Sequence, residues 1–265
     1  MRRLLLLFTA VFLGCQTAPM RETGFLARSL TIGATSYPYV VYVPRDYDAA
    51  RAWPVILFLH GSGERGTDGW RETIHGVANT IRFDPARVPA IVVFPQAPPE
   101  TRWLDEPADA AMLALDHAIA EFHGDESRVY ITGLSMGGYG TLHLAMAHPN
   151  RFAAAVVVCG GLLPHPTTTA VQQSPLTTGG DPYAIAASRL RELPMWFFHG
   201  KDDNVIPIDE SRHLVDELHH AGACDVHFTE YEGVGHGAWD RAYGEAAMWN
   251  WLFEQKRVES STTSR

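Results

Sequence analysis

Cysteine is scarce in this sequence: the 265 residues include three, Cys15, Cys159 and Cys224. None of them belongs to a CxxC pair or a metal-ligand spacing, which argues against a zinc site and a dithiol redox centre. Because Cys159 follows one predicted strand and Cys224 precedes another, the two lie at opposite edges of a parallel sheet, too far apart for a disulfide. We therefore expect two free thiols.

Positive charge is also in short supply, with 21 Lys and Arg against 30 Asp and Glu and a formal net charge of -9. This balance argues against nucleic acid as a partner and against electrostatic binding to anionic lipid. Hydrophobic residues make up 46% and charged residues 19% of the chain, so it can bury a core and is not a disordered polymer. The length suits a single α/β domain.

An apolar run long enough to cross a bilayer is absent. The run at 4–13 follows two arginines and is shorter than the about 20 residues that a spanning helix needs. With Gly14 and Cys15 after it, the segment 1–15 resembles a bacterial lipoprotein signal, in which the cysteine after a small residue receives lipid. We expect lipidation at Cys15, a flexible stalk over 16–24, and a membrane-anchored protein that faces the periplasm or the cell exterior. The alternative is an ordinary secretory signal that is cut near Ala18.

Strand and helix patterns alternate over 25–256, which predicts one α/β domain, followed by a frayed Ser/Thr-rich tail over 257–265. Predicted strands cover 25–32, 37–43, 55–59, 90–94, 128–132, 153–158, 195–198 and 226–231, and predicted helices cover 108–122, 135–147, 211–220 and 238–253. Continuous apolar runs such as 55–59 are typical of strands buried on both faces. We expect a mostly parallel central sheet with helices on both faces and with the chemistry at the carboxyl ends of its strands.

The segment 160–193 does not follow this alternation. It is rich in Pro, Thr and Gly and is longer than an ordinary connection. We interpret it as an insertion that helps to shape a substrate pocket. The alternative is a surface excursion that does not touch substrate.

Ser135 lies in the segment Gly133-Leu134-Ser135-Met136-Gly137, between a predicted strand and a predicted helix. The two flanking glycines permit the sharp turn that raises a nucleophilic serine above the sheet edge. The Met136 N–H opens the helix and is a candidate hydrogen-bond donor to an oxyanion. An inert serine in a tight turn is the alternative.

A serine hydroxyl needs a general base, and the base needs a carboxylate to orient it. His236 follows the last predicted strand, so we expect it at the same sheet edge as Ser135. The acid is expected in the loop after the strand at 195–198, where Asp202 and Asp203 are adjacent. The chain order of serine, acid and histidine leaves the choice between these two open.

The other histidines are expected to be bystanders. The predicted helix 211–220 carries His213, His219 and His220. These side chains are expected to face solvent rather than to bind a metal. We expect neither a metal nor an organic cofactor.

A second oxyanion donor is expected from the loop His60-Gly61-Ser62-Gly63-Glu64-Arg65-Gly66, after the strand at 55–59. Its small residues let backbone N–H groups converge on a developing charge, and we assign that role to the Ser62 N–H. Glu64 and Arg65 are expected to form a local ion pair that holds the loop. A plain glycine-rich turn is one alternative, and a phosphate-binding loop is a weaker one, since no Gly-Lys-Ser/Thr follows.

Five segments, taken in order, resemble one branch of the α/β-hydrolase superfamily. They are 59–66, Phe94-Pro95-Gln96, 133–138, 199–207 and Gly235-His236-Gly237-Ala238-Trp239. The branch comprises bacterial esterases described as predicted peptidases or phospholipase/carboxylesterase-like enzymes, and it is related to feruloyl esterases and polyhydroxyalkanoate depolymerases. The resemblance covers about residues 39–251 and implies the α/β-hydrolase fold.

The resemblance also implies roles for single residues. It points to Asp203 as the acid, because the branch places that acid four residues after the histidine of His-Gly and four before a proline. It supports Ser62 as an oxyanion donor. It places Trp103 near the substrate pocket. Gln96 and Trp239 are further substrate-binding candidates, although Trp239 is equally a candidate core residue of the last helix.

The sequence therefore predicts a serine carboxylesterase that cleaves a small-molecule or polymer ester through an acyl-enzyme. Ser135, Asp203 and His236 are its predicted triad. A serine peptidase on the same site is one alternative. A non-catalytic, surface-anchored binding protein on a hydrolase scaffold is the other.

Overall fold

A computed structural model describes residues 22–257 of the chain, except 167, 169, 170 and 224. The predicted signal segment with Cys15, most of the predicted stalk, the tail from 258 onward and Cys224 therefore lie outside the described residues. Gly24, assigned to the stalk, already belongs to the first strand. Arg257, assigned to the tail, is tied to the domain because its N–H donates to the Ser127 carbonyl at 2.8 Å.

The described part of the chain forms an eight-stranded sheet in the order β1-β2-β4-β3-β5-β6-β7-β8. The strands are β1 (Gly24–Ile32), β2 (Thr35–Val43), β3 (Trp53–Leu59), β4 (Ile91–Pro95), β5 (Gly124–Leu134), β6 (Ala154–Val158), β7 (Met195–Gly200) and β8 (Val226–Tyr231). β1 and β2 pair antiparallel at one edge, and all pairings from β4 to β8 are parallel. The predicted mostly parallel α/β-hydrolase sheet is confirmed.

The central strands separate two hydrophobic cores, one on each face of the sheet. In β3 every residue is buried. Its side chains alternate, so that Val55, Leu57 and Leu59 pack into one core and Ile56 and Phe58 into the other. This two-residue period is the reason that a continuous apolar run marks a strand covered on both faces.

Seven helices of the described chain flank the sheet. They are α1 (Val77–Phe83), α2 (Asp105–Glu121), α3 (Met136–Ala147), α4 (Pro182–Leu190), α5 (Asp209–His220), α6 (Trp239–Gly244) and α7 (Ala246–Glu254). The sequence predicted α2, α3 and α5 within a few residues of these bounds, but it did not predict the seven-residue α1. None of the helices described is long and apolar enough to cross a membrane.

Two predicted regions differ from the structure. The single helix expected over 238–253 is two helices, because Glu245 between them has an extended backbone with ψ 112°. The segment 160–193 is not wholly irregular, since its second half is α4, the crossover helix between β6 and β7. Asp181 caps that helix by accepting the Tyr183 N–H at 3.0 Å. Pro182 occupies the first turn, where its missing N–H costs nothing.

Candidate active site

The turn between β5 and α3 places Ser135 at the carboxyl edge of the sheet. Its φ is 54°, a left-handed conformation that is uncommon outside glycine. The Ser135 N–H donates to the Val158 carbonyl at 2.9 Å, which ties the strained turn to β6. A Cβ on Gly133 would lie 2.3 Å from the Gly137 carbonyl oxygen, and one on Gly137 would lie 1.9 Å from the Leu59 carbonyl oxygen. Only glycine therefore fits at both flanking positions.

His236 lies in the loop after β8 and reaches Ser135 across the sheet edge. Its Nε2 is 2.8 Å from the Ser135 Oγ, and its Nδ1 is 2.7 Å from the Asp203 Oδ2. The imidazole therefore joins the hydroxyl to the carboxylate, with an Nδ1–H directed at Asp203 and a free lone pair on Nε2 directed at the hydroxyl. The ring is partly accessible, with 18% of its side chain exposed.

Asp203 is held from two sides in the loop after β7. Its Oδ1 accepts the Val205 and Ile206 N–H groups, both at 2.9 Å. Its Oδ2 faces both His236 and the Nε2 of His199, the latter at 3.2 Å. Burial alone would raise the pKa of Asp203, but its hydrogen bonds, first with His199 and then with His236, hold that pKa well below its usual range. The carboxylate is therefore ionised at neutral pH.

The neighbouring Asp202 is placed differently. It is exposed, and its N–H donates to the Val234 carbonyl at 2.9 Å. The structure thus brings Asp203, and not Asp202, to His236. The two residues differ because the tight turn directs consecutive side chains to opposite sides.

Sequence reasoning missed His199, which supports the carboxylate from behind. It is fully buried at the end of β7, with its Nδ1 2.8 Å from the Ser211 Oγ. Its Nε2 lies 3.0 Å from the Ile206 carbonyl oxygen. A carbonyl can only accept, so Nε2 carries a proton, and this N–H also faces the Asp203 carboxylate. The available signal was the His-Gly pair itself, because a histidine at the end of a buried strand has to find polar partners there.

The loop after β3 lies directly beside Ser135, where the second oxyanion donor was expected. A Cβ on Gly61 would be 3.5 Å from the Ser135 Cβ. The Gly61 carbonyl oxygen is 2.6 Å from the His60 Nδ1. Because the peptide bond between Gly61 and Ser62 is trans, the Ser62 N–H points away from that carbonyl. Met136 is the first residue of α3, so its N–H has no acceptor within the helix.

His60 holds this loop in a defined protonation state. Its Nε2 accepts the Ala97 N–H at 3.0 Å, so the proton is on Nδ1 and points at Gly61. Complete burial lowers the pKa of His60 to about 4. The ring is therefore neutral near pH 7, and its two hydrogen bonds hold the loop in one geometry there.

The expected ion pair between Glu64 and Arg65 is not formed. The Arg65 guanidinium instead donates to two carbonyls, those of Ser62 at 2.9 Å and Thr101 at 3.3 Å. Glu64 is buried, and its Oε1 lies 3.8 Å from the His75 Nε2. Each side chain thus holds the loop separately.

Gln96 and Trp103 both support this loop through hydrogen bonds. Gln96 is 1% exposed, and its amide accepts the Gly69 N–H and donates to the Glu64 carbonyl. Trp103 is 2% exposed, and its indole N–H donates to the His60 carbonyl at 3.0 Å. Their hydrogen-bonding groups are used inside the protein, but Trp103 also lines the cavity beside Met136, and contact of either residue with substrate stays a prediction.

Trp239, in contrast, lies at the accessible side of the site. It is half-buried, and its ring meets that of His236 edge-on with centroids 5.6 Å apart. Its other neighbour is the ring of His75, at 5.9 Å. Of the three residues expected at the pocket, Trp239 is the one that the structure places beside the reacting groups.

The start of the 160–193 segment is fixed against the site. The Glu210 Oε2 accepts the N–H groups of Leu162 and Leu163 at 2.8 and 3.1 Å, and the Tyr139 hydroxyl donates to the Leu163 carbonyl at 2.8 Å. A narrow cavity of about 10 Å³ separates this region from α3, and Met136 is among its lining residues. Part of the segment therefore lies next to a predicted oxyanion donor, whereas contact with substrate stays a prediction.

Cys159, the cysteine that the structure describes, is a free and fully buried thiol at the end of β6. Burial raises its pKa, so it is a neutral thiol at physiological pH.

A buried carboxyl lies under the loop that precedes α1. Glu72 is fully buried, and neither of its carboxyl oxygens has a hydrogen-bond partner among the described residues. Burial raises its pKa to about 8, and the nearby charge of Asp68 acts in the same direction. Between its ordinary value of 4.5 and about 8, the folded protein keeps a proton that the unfolded chain has released. Stability therefore falls as pH rises through that window.

Glu72→Gln is expected to remove this pH dependence. At pH 4, below the ordinary value of 4.5, the variant and the wild type should melt within a degree or so of each other, because residue 72 is then largely neutral in both the folded and the unfolded chain. Above pH 5 the variant should become progressively more stable than the wild type, by up to about 1.4 kcal/mol per pH unit until pH 8. Thermal melts from pH 4 to 9 measure this, with Glu254→Gln at an exposed position of α7 as the control. Parallel melting curves for Glu72→Gln and wild type would contradict the expectation.

Comparison with known proteins places the chain in a family. The profile of the prolyl oligopeptidase family matches residues 100–257, more than half of the chain. The matched region begins in the loop after β4 and includes the segments that carry Ser135, Asp203 and His236.

Individual relatives cover most of the chain. It is 29% identical over 247 residues to the poly(3-hydroxyoctanoate) depolymerase of Pseudomonas fluorescens, a match that covers 83% of this chain and 81% of that protein. It is 25% identical over 260 residues to feruloyl esterase B of Thermothelomyces thermophilus, with 87% and 86% covered. These names agree with the branch that the sequence motifs indicated.

A solved structure shows the same architecture. A thermostable esterase superposes with a TM-score of 0.73 at 34% identity, over 88% of this chain. The chain spans 63% of the length of that esterase. From its family profile and its fold, the chain belongs to the prolyl oligopeptidase family and is an α/β-hydrolase of the carboxylesterase type.

Proposed function

We propose that this protein hydrolyses carboxylic esters through an acyl-enzyme on Ser135. The observation that carries the proposal is the continuous chain of two hydrogen bonds, 2.8 Å from Ser135 to His236 and 2.7 Å from His236 to Asp203. A hydroxyl in this position loses its proton to the imidazole as it attacks, and the carboxylate stabilises the imidazolium that forms.

The reaction follows from these positions. The Ser135 Oγ bonds to the ester carbonyl carbon while His236 Nε2 takes its proton, and the carbonyl electron pair moves to the oxygen. The N–H groups of Ser62 and Met136 are proposed to bind that oxyanion. Each donor is expected to raise the rate about 10²- to 10³-fold. When the intermediate collapses, the C–O bond to the alcohol breaks and the alcohol oxygen takes the proton from His236. A water molecule then repeats the sequence on the acyl-enzyme and regenerates Ser135.

The names of the relatives favour esters over amides as substrates. A poly(3-hydroxyoctanoate) depolymerase and a feruloyl esterase are both named for ester cleavage. Ester and polyester substrates are accordingly the proposed class. A peptidase would use the same three side chains, so the leaving group has to be tested directly.

Rapid mixing with p-nitrophenyl butyrate tests the proposal. The expected result is a burst of one p-nitrophenol per active site, followed by slower turnover as the butyryl-enzyme hydrolyses. The matched amide, butyryl p-nitroanilide, should react at least about 10³-fold more slowly in kcat/KM. Faster cleavage of the amide would favour a peptidase. Absence of any turnover would favour a non-catalytic binding protein.

We also propose that the protein is exported and anchored by lipid at Cys15. The support is the sequence of the first 15 residues, a basic start and an apolar run that ends at Gly14 and Cys15. In a bacterial host the full chain should partition into the detergent phase of a Triton X-114 extract. Cys15→Ser should shift it to the aqueous phase or leave the signal uncut. Partition of the wild type into the aqueous phase, with a mature start after Cys15, would favour an ordinary secretory signal.

A further inference from the structure

We propose that Trp239, His75 and Ile74 form a binding surface for an uncharged aryl or alkyl group on the alcohol side of the ester. This surface is called the alcohol-side face below. The inference rests on the proposed acyl-enzyme mechanism and adds to it the substrate part that is recognised beside His236.

The alcohol-side face begins at the general base itself. The Trp239 ring stands edge-on to His236 at 5.6 Å, and the His75 ring lies 5.9 Å from Trp239 on the other side. Trp239 is half-buried and the His75 side chain is 40% exposed, so both rings keep accessible surface. The row of rings therefore runs from the reacting groups to the solvent.

The segment that carries His75 also presents exposed apolar side chains. Ile74, next to His75, is 47% exposed, and Trp70 earlier in the same segment is 50% exposed. The described residues contain two other large hydrophobic side chains that are exposed, Phe83 at 89% and Leu113 at 41%. Two such side chains within five residues, in a segment whose His75 contacts Trp239, are typical of a ligand-binding surface.

The segment that carries Ile74 is fixed in place. The Asp68 carboxylate accepts the N–H groups of Trp70 and Arg71, both at 2.9 Å. The Arg82 guanidinium donates to the Thr73 hydroxyl at 3.0 Å and also to its carbonyl. Because the backbone is anchored this way, the exposure of Ile74 does not result from a loose loop. A rigid surface also loses little entropy when a substrate binds.

The position of Trp239 determines which part of the ester it meets. His236 Nε2 has to donate a proton to the leaving oxygen, so that oxygen lies within about 3 Å of the imidazole when the C–O bond breaks. The group attached to the oxygen then projects towards the side chains that flank His236, of which Trp239 is one. The loop after β3 and the start of α3 lie beside Ser135 instead. The alcohol-side face therefore contacts the part of the substrate that leaves first.

Two ester series with the same acyl group test this assignment. The variants are Ile74→Ser, an exposed change that should not disturb folding, and Trp239→Ala. For 2-naphthyl butyrate, kcat/KM should fall about tenfold in Trp239→Ala and about threefold in Ile74→Ser, the size expected for loss of an apolar contact. For methyl butyrate, which presents no aryl group to the alcohol-side face, the loss in each variant should be smaller than for 2-naphthyl butyrate. The control Leu113→Ser, 41% exposed in wild type on α2, should match wild type on both esters.

Deacylation provides the second readout. Both esters yield the same butyryl-enzyme, from which the alcohol has already left, so its hydrolysis rate should be unchanged in both variants. Equal losses on the two esters together with slower deacylation would show damage to His236 and would overturn the inference. Losses that follow the acyl length of p-nitrophenyl esters, and not the alcohol, would also overturn it. Failure of the acyl-enzyme mechanism would look different, because the wild type itself would then show no burst.

Discussion

Ser135→Ala is expected to lower kcat/KM for p-nitrophenyl butyrate by at least about 10⁴-fold. The substitution removes the one atom that His236 Nε2 contacts at 2.8 Å. Alanine and serine bear the same backbone strain at φ 54°, so the turn and the fold should persist. The residual rate should reflect the oxyanion donors and substrate binding alone.

Steady-state kinetics and a thermal melt of each protein measure this expectation. Ser36→Ala, at an exposed position of β2, is the matched control and should retain wild-type kinetics. Near-normal activity in Ser135→Ala with an unchanged melting temperature would remove Ser135 as the nucleophile. If Ser135→Ala lost activity and also melted at a much lower temperature, Ser135→Cys would be measured next. That variant keeps a nucleophile, so it distinguishes loss of the nucleophile from loss of the fold.

Asp203→Asn should lower kcat by about 10³- to 10⁴-fold, whereas Asp202→Asn should change it by less than about threefold. An asparagine at 203 presents an amide where His236 Nδ1 and His199 Nε2 both need an acceptor. The imidazole would then adopt the other tautomer or turn away from Ser135. Asp202 is exposed and contacts neither histidine through its side chain.

The pH dependence adds a second distinction between the two aspartates. Because the pKa of Asp203 is held low by its hydrogen bonds, its charge stabilises the fold above the ordinary carboxyl range. That stability is lost only as pH falls towards the lowered folded value. Asp203→Asn should therefore reduce the melting temperature at pH 7 more than at pH 3. Equal kinetic losses at positions 202 and 203 would contradict the assignment of the acid.

The sequence predicted most of the sheet because buried parallel strands leave a local signal. β3, β4 and β6 are continuous apolar runs, and β8 was predicted with its observed bounds Val226–Tyr231. α4 was missed, although Asp181 and Pro182 are a standard helix start, because the Pro, Thr and Gly residues earlier in 160–193 dominated the composition. α1 has seven residues, which is too short for a periodic pattern to be distinguished from a loop.

The candidate site could be predicted in its order but not in its supporting contacts. Chain order and strand ends place Ser135, His236 and the adjacent Asp202 and Asp203 at one edge, because parallel strands share that edge, and the family resemblance points to Asp203. No local pattern reveals that Gln96 and Trp103 turn inward to the loop after β3. The same applies to contacts between distant segments. One example is the hydrogen bond from the Leu162 N–H to Glu210, which lies 48 residues later in the chain. Side-chain direction in such loops is set by the tertiary structure.

Labelling with a fluorophosphonate, followed by mass spectrometry of the peptides, tests the central claim most directly. A serine whose proton is drawn by His236 should react with this probe and an unactivated serine should not. The account predicts one adduct per chain on the peptide that contains Ser135, loss of ester hydrolysis in proportion to labelling, and no adduct in Ser135→Ala. An active esterase that stays unlabelled, or whose adduct maps to another residue, would contradict it.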